Sequence, residues 1–327
     1  MTSAIINVQP FGSPWETIDP FLVCVHHVDN YPAGNGLLGP SNLKGRNLEG
    51  TNGWRMYHGR TVPGFPAHPH RGFETITILR KGVIDHADSL GNSARFGEGD
   101  VQWLTAGRGI VHSEMFPLLS QLGPNPLELF QIWLNLPARS KMVEPHFKML
   151  WAKDIPVHMP NGDDGSVEVR CIVGTPELAN PSRPPAPPVD SWAAEQNADV
   201  AIWTIKMAPG AKWTLPASLV KLTRRQLFFH KGESMTIDGS FVRADSAIEV
   251  HCSEKLQLVN GSEPSELLML QGRPIGEPIV QSGPFVMNSA REIEQAHADF
   301  ERTRFGTWDW PTIDPVHGRE KSKFESR

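Results

Sequence analysis

The sequence is short of most features that would place it in a specialised class. Its three cysteines, Cys24, Cys171 and Cys252, are odd in number and far apart, which excludes a disulfide scaffold and makes a reducing cytoplasm the expected location. Long apolar runs are missing. Stretches such as Phe21-Leu22-Val23-Cys24-Val25 are strand-sized, well below the roughly 18 residues that cross a bilayer, so no membrane partner is expected. No Lys or Arg precedes Lys44, so neither a basic signal-peptide start nor an Arg-rich transit peptide is expected. Positive charge is not in surplus either. With 31 Lys+Arg against 36 Asp+Glu, the net charge of −5 argues against direct binding to a nucleic-acid phosphate backbone.

What the sequence does have is backbone punctuation. Its 29 Gly and 29 Pro in 327 residues leave little room for long helices, and the reading is all-β. Short runs rich in β-branched and aromatic residues, bounded by turn signals, mark strands at 75–79, 101–104, 130–136, 167–173, 201–207, 227–230 and 267–271. That spacing suits sandwiches or barrels. The clearest helix is 289–303, where Ser289 and Glu292 form a capping box and Ile293, Ala296 and Phe300 share a face.

Internal repetition gives the domain plan. Ile76-Thr77-Ile78-Leu79-Arg80-Lys81-Gly82 is echoed by Gln226-Leu227-Phe228-Phe229-His230-Lys231-Gly232, each a strand running into a Lys-Gly turn. Two similar β domains are therefore expected, 1–150 and 151–317, followed by a charged, disordered tail at 318–327. The Pro-rich stretch 176–188 reads as a surface loop inside the second domain.

The chemistry is concentrated between residues 64 and 116. His68-Pro69-His70 places two imidazoles two positions apart, and on a strand that spacing puts both on one face. His112-Ser113-Glu114 repeats the pattern. Turns at Lys81-Gly82, Leu90-Gly91-Asn92 and Gly97-Glu98-Gly99-Asp100 supply the returns that bring the two pairs side by side. Three imidazoles and one carboxylate then converge on one point, leaving two adjacent octahedral positions open for substrate or dioxygen. A donor set without thiolate suits a borderline divalent metal. Fe(2+) is expected, with Mn, Ni, Cu or Zn as other candidates, and the open positions indicate catalysis or ligand capture.

These residues also carry a family resemblance. The runs His68-Pro69-His70-Arg71-Gly72-Phe73-Glu74-Thr75, Asp88-Ser89-Leu90-Gly91-Asn92, Gly99-Asp100-Val101-Gln102-Trp103 and Thr105-Ala106-Gly107-Arg108-Gly109-Ile110-Val111-His112-Ser113-Glu114-Met115 resemble pirins, of the cupin superfamily. Further matches lie at 133–137, 141–145, 272–278, 283–288 and 302–306. The resemblance implies a bicupin, two antiparallel β-barrel (jelly-roll) domains face to face, with one iron in the first. In some members it implies oxygenation of the flavonol quercetin; others are described as iron-dependent coregulators. Carried over residue by residue, the metal ligands are His68, His70, His112 and Glu114. Glu74 stands where many other cupins place their carboxylate ligand. In pirins that residue lies near the metal, and here it is assigned to orienting a ligand imidazole. The segment 30–63 looks longer than in typical pirins and is expected to form a loop over the barrel mouth.

Other features read as ordinary structure. Gly34-Asn35-Gly36-Leu37-Leu38-Gly39 fits GxGxxG, but Pro40 and Gly45 follow where a helix would have to begin, so it is a loop. His26 and His27 adjoin and face opposite ways, while His146, His158, His230 and His251 are scattered singly. Phe65, Phe73, Trp103 and Phe116 flank the ligands as barrel filling, with some available to wall an aromatic substrate. In the second domain, the ligand offsets counted from Gly232 reach Ser218, Val220, Ser262 and Pro264, so that domain is expected to be metal-free.

The expected function is that of a quercetin 2,3-dioxygenase-like oxidoreductase. Its partners would be a small aromatic substrate and dioxygen, with Glu114 as ligand and base, in a monomer. Two alternatives stand beside it: an iron-dependent redox sensor that binds a regulatory or metabolic protein, and a cupin isomerase or sugar-binding protein.

Overall fold

Runs of Val, Ile, Phe and Trp between Gly-rich turns form strands where pattern reading places them, and Val167–Val173 and Ala201–Met207 match residue for residue. The computed structural model describes residues 4–47, 53–160, 166–176, 182–218 and 220–326. It is all-β with one α-helix among the described residues. Part of the expected Pro-rich loop (177–181) and part of the 30–63 segment (48–52) lie outside the described residues.

The chain forms two units, each discontinuous in sequence. One comprises Val25–Ala152 with Glu277–Arg327; the other comprises Met1–Cys24 with Lys153–Gly276. The sequence places a single boundary near residue 150. The chain does change units at Ala152, but it also does so after Cys24 and after Gly276, because distant strands complete each unit's sheets. Ile5–Pro10 pairs antiparallel with Ser246–Val250. At the other end the expected disordered tail is corrected: Phe324–Ser326 is a strand paired with Ser93–Gly97. Its anchor is Arg95, which donates to the carbonyls of His317, Gly318 and Lys321 at 2.8, 2.7 and 3.0 Å.

The unit that carries the histidine pairs has two five-stranded sheets. In one the order is His146–Leu150, Val101–Thr105, Phe73–Lys81, Asn125–Asn135 and Phe21–Tyr31. In the other it is Phe324–Ser326, Ser93–Gly97, Val83–Asp88, Ile110–Met115 and Gly64–His70. Alternation along the strands turns Leu79, Ile84, Phe96, Leu104, Ile110 and Leu129 into a common core. Burying side chains of this size contributes about 1.5–3 kcal/mol each. The helix Ala290–Thr303 begins at Ser289, whose hydroxyl accepts from Glu292 N–H, and buries Ile293 and Ala296 beside Phe285 and Val111.

The other unit has sheets of seven and four strands around an apolar core that includes Val169, Trp203, Leu227, Ile248 and Met269. The repeat seen in the sequence has a structural counterpart. Phe73–Lys81 loses register with its neighbour between Leu79 and Lys81, and Arg224–Lys231 does so between Phe229 and Lys231. In each the displaced lysine meets a cross-strand glutamate: Lys81 with Glu128 at 3.2 Å, Lys231 with Glu266 at 2.6 Å. Both strands then turn at a glycine with positive φ, Gly82 or Gly232.

Candidate metal centre

His68 and His70 lie on Gly64–His70, which pairs with Ile110–Met115 in a register that sets His68 opposite His112. Two-residue alternation keeps both side chains of the first strand on one face. The three rings come together, with centroids 4.5 Å (His68–His112), 4.8 Å (His68–His70) and 5.0 Å (His70–His112) apart. One nitrogen from each lies within 4.8 Å of the others, a spacing that could hold a metal ion. The corner after His70 requires glycine: Gly72 has φ +85°, and a Cβ there would meet the Val286 carbonyl oxygen at 2.0 Å.

Burial pushes the basicity of all three imidazoles down, and far down for His70 and His112. Neighbouring imidazoles push the same way, while Glu114 and the Pro66 carbonyl pull His68 part of the way back. The neutral rings keep their lone pairs. His68 Nδ1 donates to the Pro66 carbonyl at 2.8 Å, which leaves Nε2 as the free lone pair. His112 is fully buried, yet among the described residues neither of its ring nitrogens has a hydrogen-bond partner, and His70 Nδ1 has none either. A buried polar atom without a partner costs roughly 1–3 kcal/mol. A cation among the three rings would relieve part of that cost, so the donors present fit a metal.

Glu114 sits at the edge of this triad. Its Oε2 is 4.0 Å from His112 Nε2 and accepts from Gln131 at 2.8 Å, while its Oε1 accepts from the Thr77 hydroxyl at 3.2 Å. Glu74 lies elsewhere. On Phe73–Lys81 it alternates to the face opposite Phe73, whose ring packs 5.1 Å from His70, and its carboxylate accepts from Thr105 at 2.6 Å. His26 and His27 also stay apart from the site: His26 stacks on Phe130, and His27 Nδ1 lies 2.7 Å from the Tyr57 hydroxyl.

Sequence reasoning passed over several neighbours. His86 and Asp88 form a third alternating pair, on Val83–Asp88 opposite Glu114 and His112, with His86 Nε2 3.2 Å from Asp88 Oδ2. The His86 ring lies 5.6 Å from that of His112. The two-residue spacing that flagged the other pairs was there to find it. Trp133 packs edge-on against His70 at 5.5 Å. Beside His68 opens a cavity of about 530 Å³ walled by His58, Arg60, Phe65 and Ile313, a size that accommodates a small organic molecule. His58 and Arg60 belong to the expected loop over the mouth, while Ile313 is held there by its carbonyl, which accepts from Ala67 N–H at 2.7 Å.

Both halves of the chain are similar to known proteins. The pirin family model matches residues 47–134, and the pirin C-terminal cupin domain matches 202–306. Pirin-1 of Arabidopsis thaliana is 37% identical over 248 residues, covering 74% of this chain and 78% of that protein. A pirin-like protein of Solanum lycopersicum is 36% identical over 255 residues, covering 74% and 77%. A crystal structure of a quercetin 2,3-dioxygenase from Acinetobacter baumannii superposes with a TM-score of 0.72 at 26% identity, covering 93% of this chain and 98% of that one. With a family model matched in each half and plant relatives sharing over a third of the aligned residues, the chain belongs to the pirin family and is built from two cupin domains.

Proposed function

We propose that this protein is a metal-dependent dioxygenase that opens the ring of a flavonol such as quercetin, with His68, His70, His112 and Glu114 holding the ion. The observation that carries the proposal is the neutral histidine triad, with His70 and His112 buried and His68 half-buried, in which neither ring nitrogen of His112 has a hydrogen-bond partner among the described residues. The similar Acinetobacter protein supports the substrate class. Iron(II) is the proposed ion, since imidazole and carboxylate without thiolate are the usual support for non-haem oxygen chemistry.

When bound, the metal supplies a Lewis acid for the flavonol 3-hydroxyl and a redox partner for dioxygen. The chain does the rest. Phe65 and Ile313 flank a planar substrate in the cavity beside His68, and Glu114 takes the 3-hydroxyl proton. The Thr77 hydroxyl and the Gln131 amide each donate to that carboxylate and hold it in place. Burial keeps protons off the three imidazoles. Both atoms of dioxygen enter the ring-opened ester, and carbon monoxide leaves. Replacing His70 by Ala is expected to abolish bound iron and quercetin-dependent oxygen uptake together, measured by metal analysis and an oxygen electrode. Turnover that survives metal loss overturns the ligand assignment. Bound iron without oxygen uptake in the unmodified protein overturns the dioxygenase reading.

A further inference from the structure

The two units offer an internal comparison at Glu114. Thr77 stands directly opposite Gln131 on one neighbouring strand and Gln102 on the other. All three are polar side chains on the barrel's inner face, and Thr77 and Gln102 are fully buried. The repeat equates Phe73–Lys81 with Arg224–Lys231, and the matching bulges and Lys–Glu pairs fix the register. Thr77 then corresponds to Leu227, whose opposite neighbours are Met269 and Ile248. Those three belong to one apolar core. Where no carboxylate has to be held, this fold fills the same three places with hydrocarbon.

Resting on the metal-centre reading above, we propose that Gln131, assisted by Thr77, is a positioning residue that aims the Glu114 carboxylate at the histidine triad. An ionised carboxylate only accepts hydrogen bonds, so the Gln131 amide nitrogen must be the atom that faces it. That nitrogen holds Oε2, the oxygen 4.0 Å from His112 Nε2, while the Thr77 hydroxyl holds Oε1. With one donor on each oxygen, rotating the carboxylate breaks both bonds. Gln131 thus acts through Glu114 without itself entering the triad.

The repeat also suggests the variants. Gln131→Met and Thr77→Leu install the residues the other unit already packs at the equivalent places. Cobalt(II) is the probe, because its visible absorption reports the ligand set. Gln131→Met is expected to bind cobalt(II) ~10- to 100-fold more weakly by chelator competition. Its spectrum should move toward that of Glu114→Gln, and the metal-free protein should melt within a few degrees of the unmodified one. Thr77→Leu should shift both readouts the same way by less, and Thr77→Val serves if either larger change prevents folding. Wild-type affinity and spectrum in Gln131→Met, whether or not Glu114→Gln is altered, overturn the proposal. Failure of the unmodified protein to take up cobalt(II) overturns instead the metal-centre reading beneath it.

Discussion

Arg95→Met tests how the C-terminal segment is held. Arg95 is 2% exposed and Asp85 fully buried, and the guanidinium grips both carboxylate oxygens at 2.6 and 2.7 Å. Three further carbonyls, of His317, Gly318 and Lys321, share the same fork. Without it Asp85 keeps, among the described residues, only the His317 N–H, at 2.8 Å, as partner for a buried charge. Removing one member of such a pair costs about 3–5 kcal/mol. For a unit of this size that corresponds to a melting point lower by roughly 6–20 °C. Calorimetry should show the fall, and limited proteolysis should cut first between residues 317 and 326. If the cost comes from the stranded carboxylate, Asp85→Asn in the Arg95→Met background should restore a large part of the loss. A single variant within about 1 kcal/mol of wild type, a threshold set by exposed pairs, or a double variant no better than the single, refutes the reasoning.

Gly72→Ala should destabilise by about 1–3 kcal/mol in urea denaturation, since it combines positive φ with a clash against the Val286 carbonyl. It should also weaken metal binding, because the corner it strains follows His70 directly; unchanged stability would show that the corner can relax. Lys141, 1% exposed, donates to the Gly72 and Val286 carbonyls and to Asn135 Oδ1, and burial pushes its pKa down to about 8 against the opposing pull of Glu277 and Glu292. The unfolded chain then holds the proton more tightly than the folded one. Stability from this group is therefore fully present above the unfolded value near 10.5 and is lost as pH falls through about 8. The stability difference between wild type and Lys141→Met should grow by ~3 kcal/mol between those limits, and a flat difference would refute the shift.

Much of this was legible because the signals are local. Strand alternation aims His68, His70 and His112, on two neighbouring strands, at one point, and the Ser289–Glu292 box locates the helix start. What escaped depends on where a strand restarts or on distant pairing. Glu74 looks close to the histidines when residues are counted from His70, but the Gly72 corner begins a new strand at Phe73, and alternation sends Glu74 to the far face. The charged tail reads as disordered because its composition gives no sign of the fork on Arg95, more than 220 residues earlier. The unit boundaries escaped for the same reason: nothing near Ile5 announces a partner at Val250. Gln131 carried no motif; its hydrogen bond to Glu114 and the comparison with Met269 across the repeat set it apart.

The crossing over of the two chain ends governs how this molecule can be cut. A product stopping at residue 150 would present Ser93–Gly97 with an open hydrogen-bonding edge, and one starting at 151 would do the same to Ser246–Val250. Bare edges of this kind recruit other chains into aggregates. Neither half can be excised as a free-standing module by a single break near the middle, so any transplant of the histidine-bearing barrel must take residues 277–326 along with it.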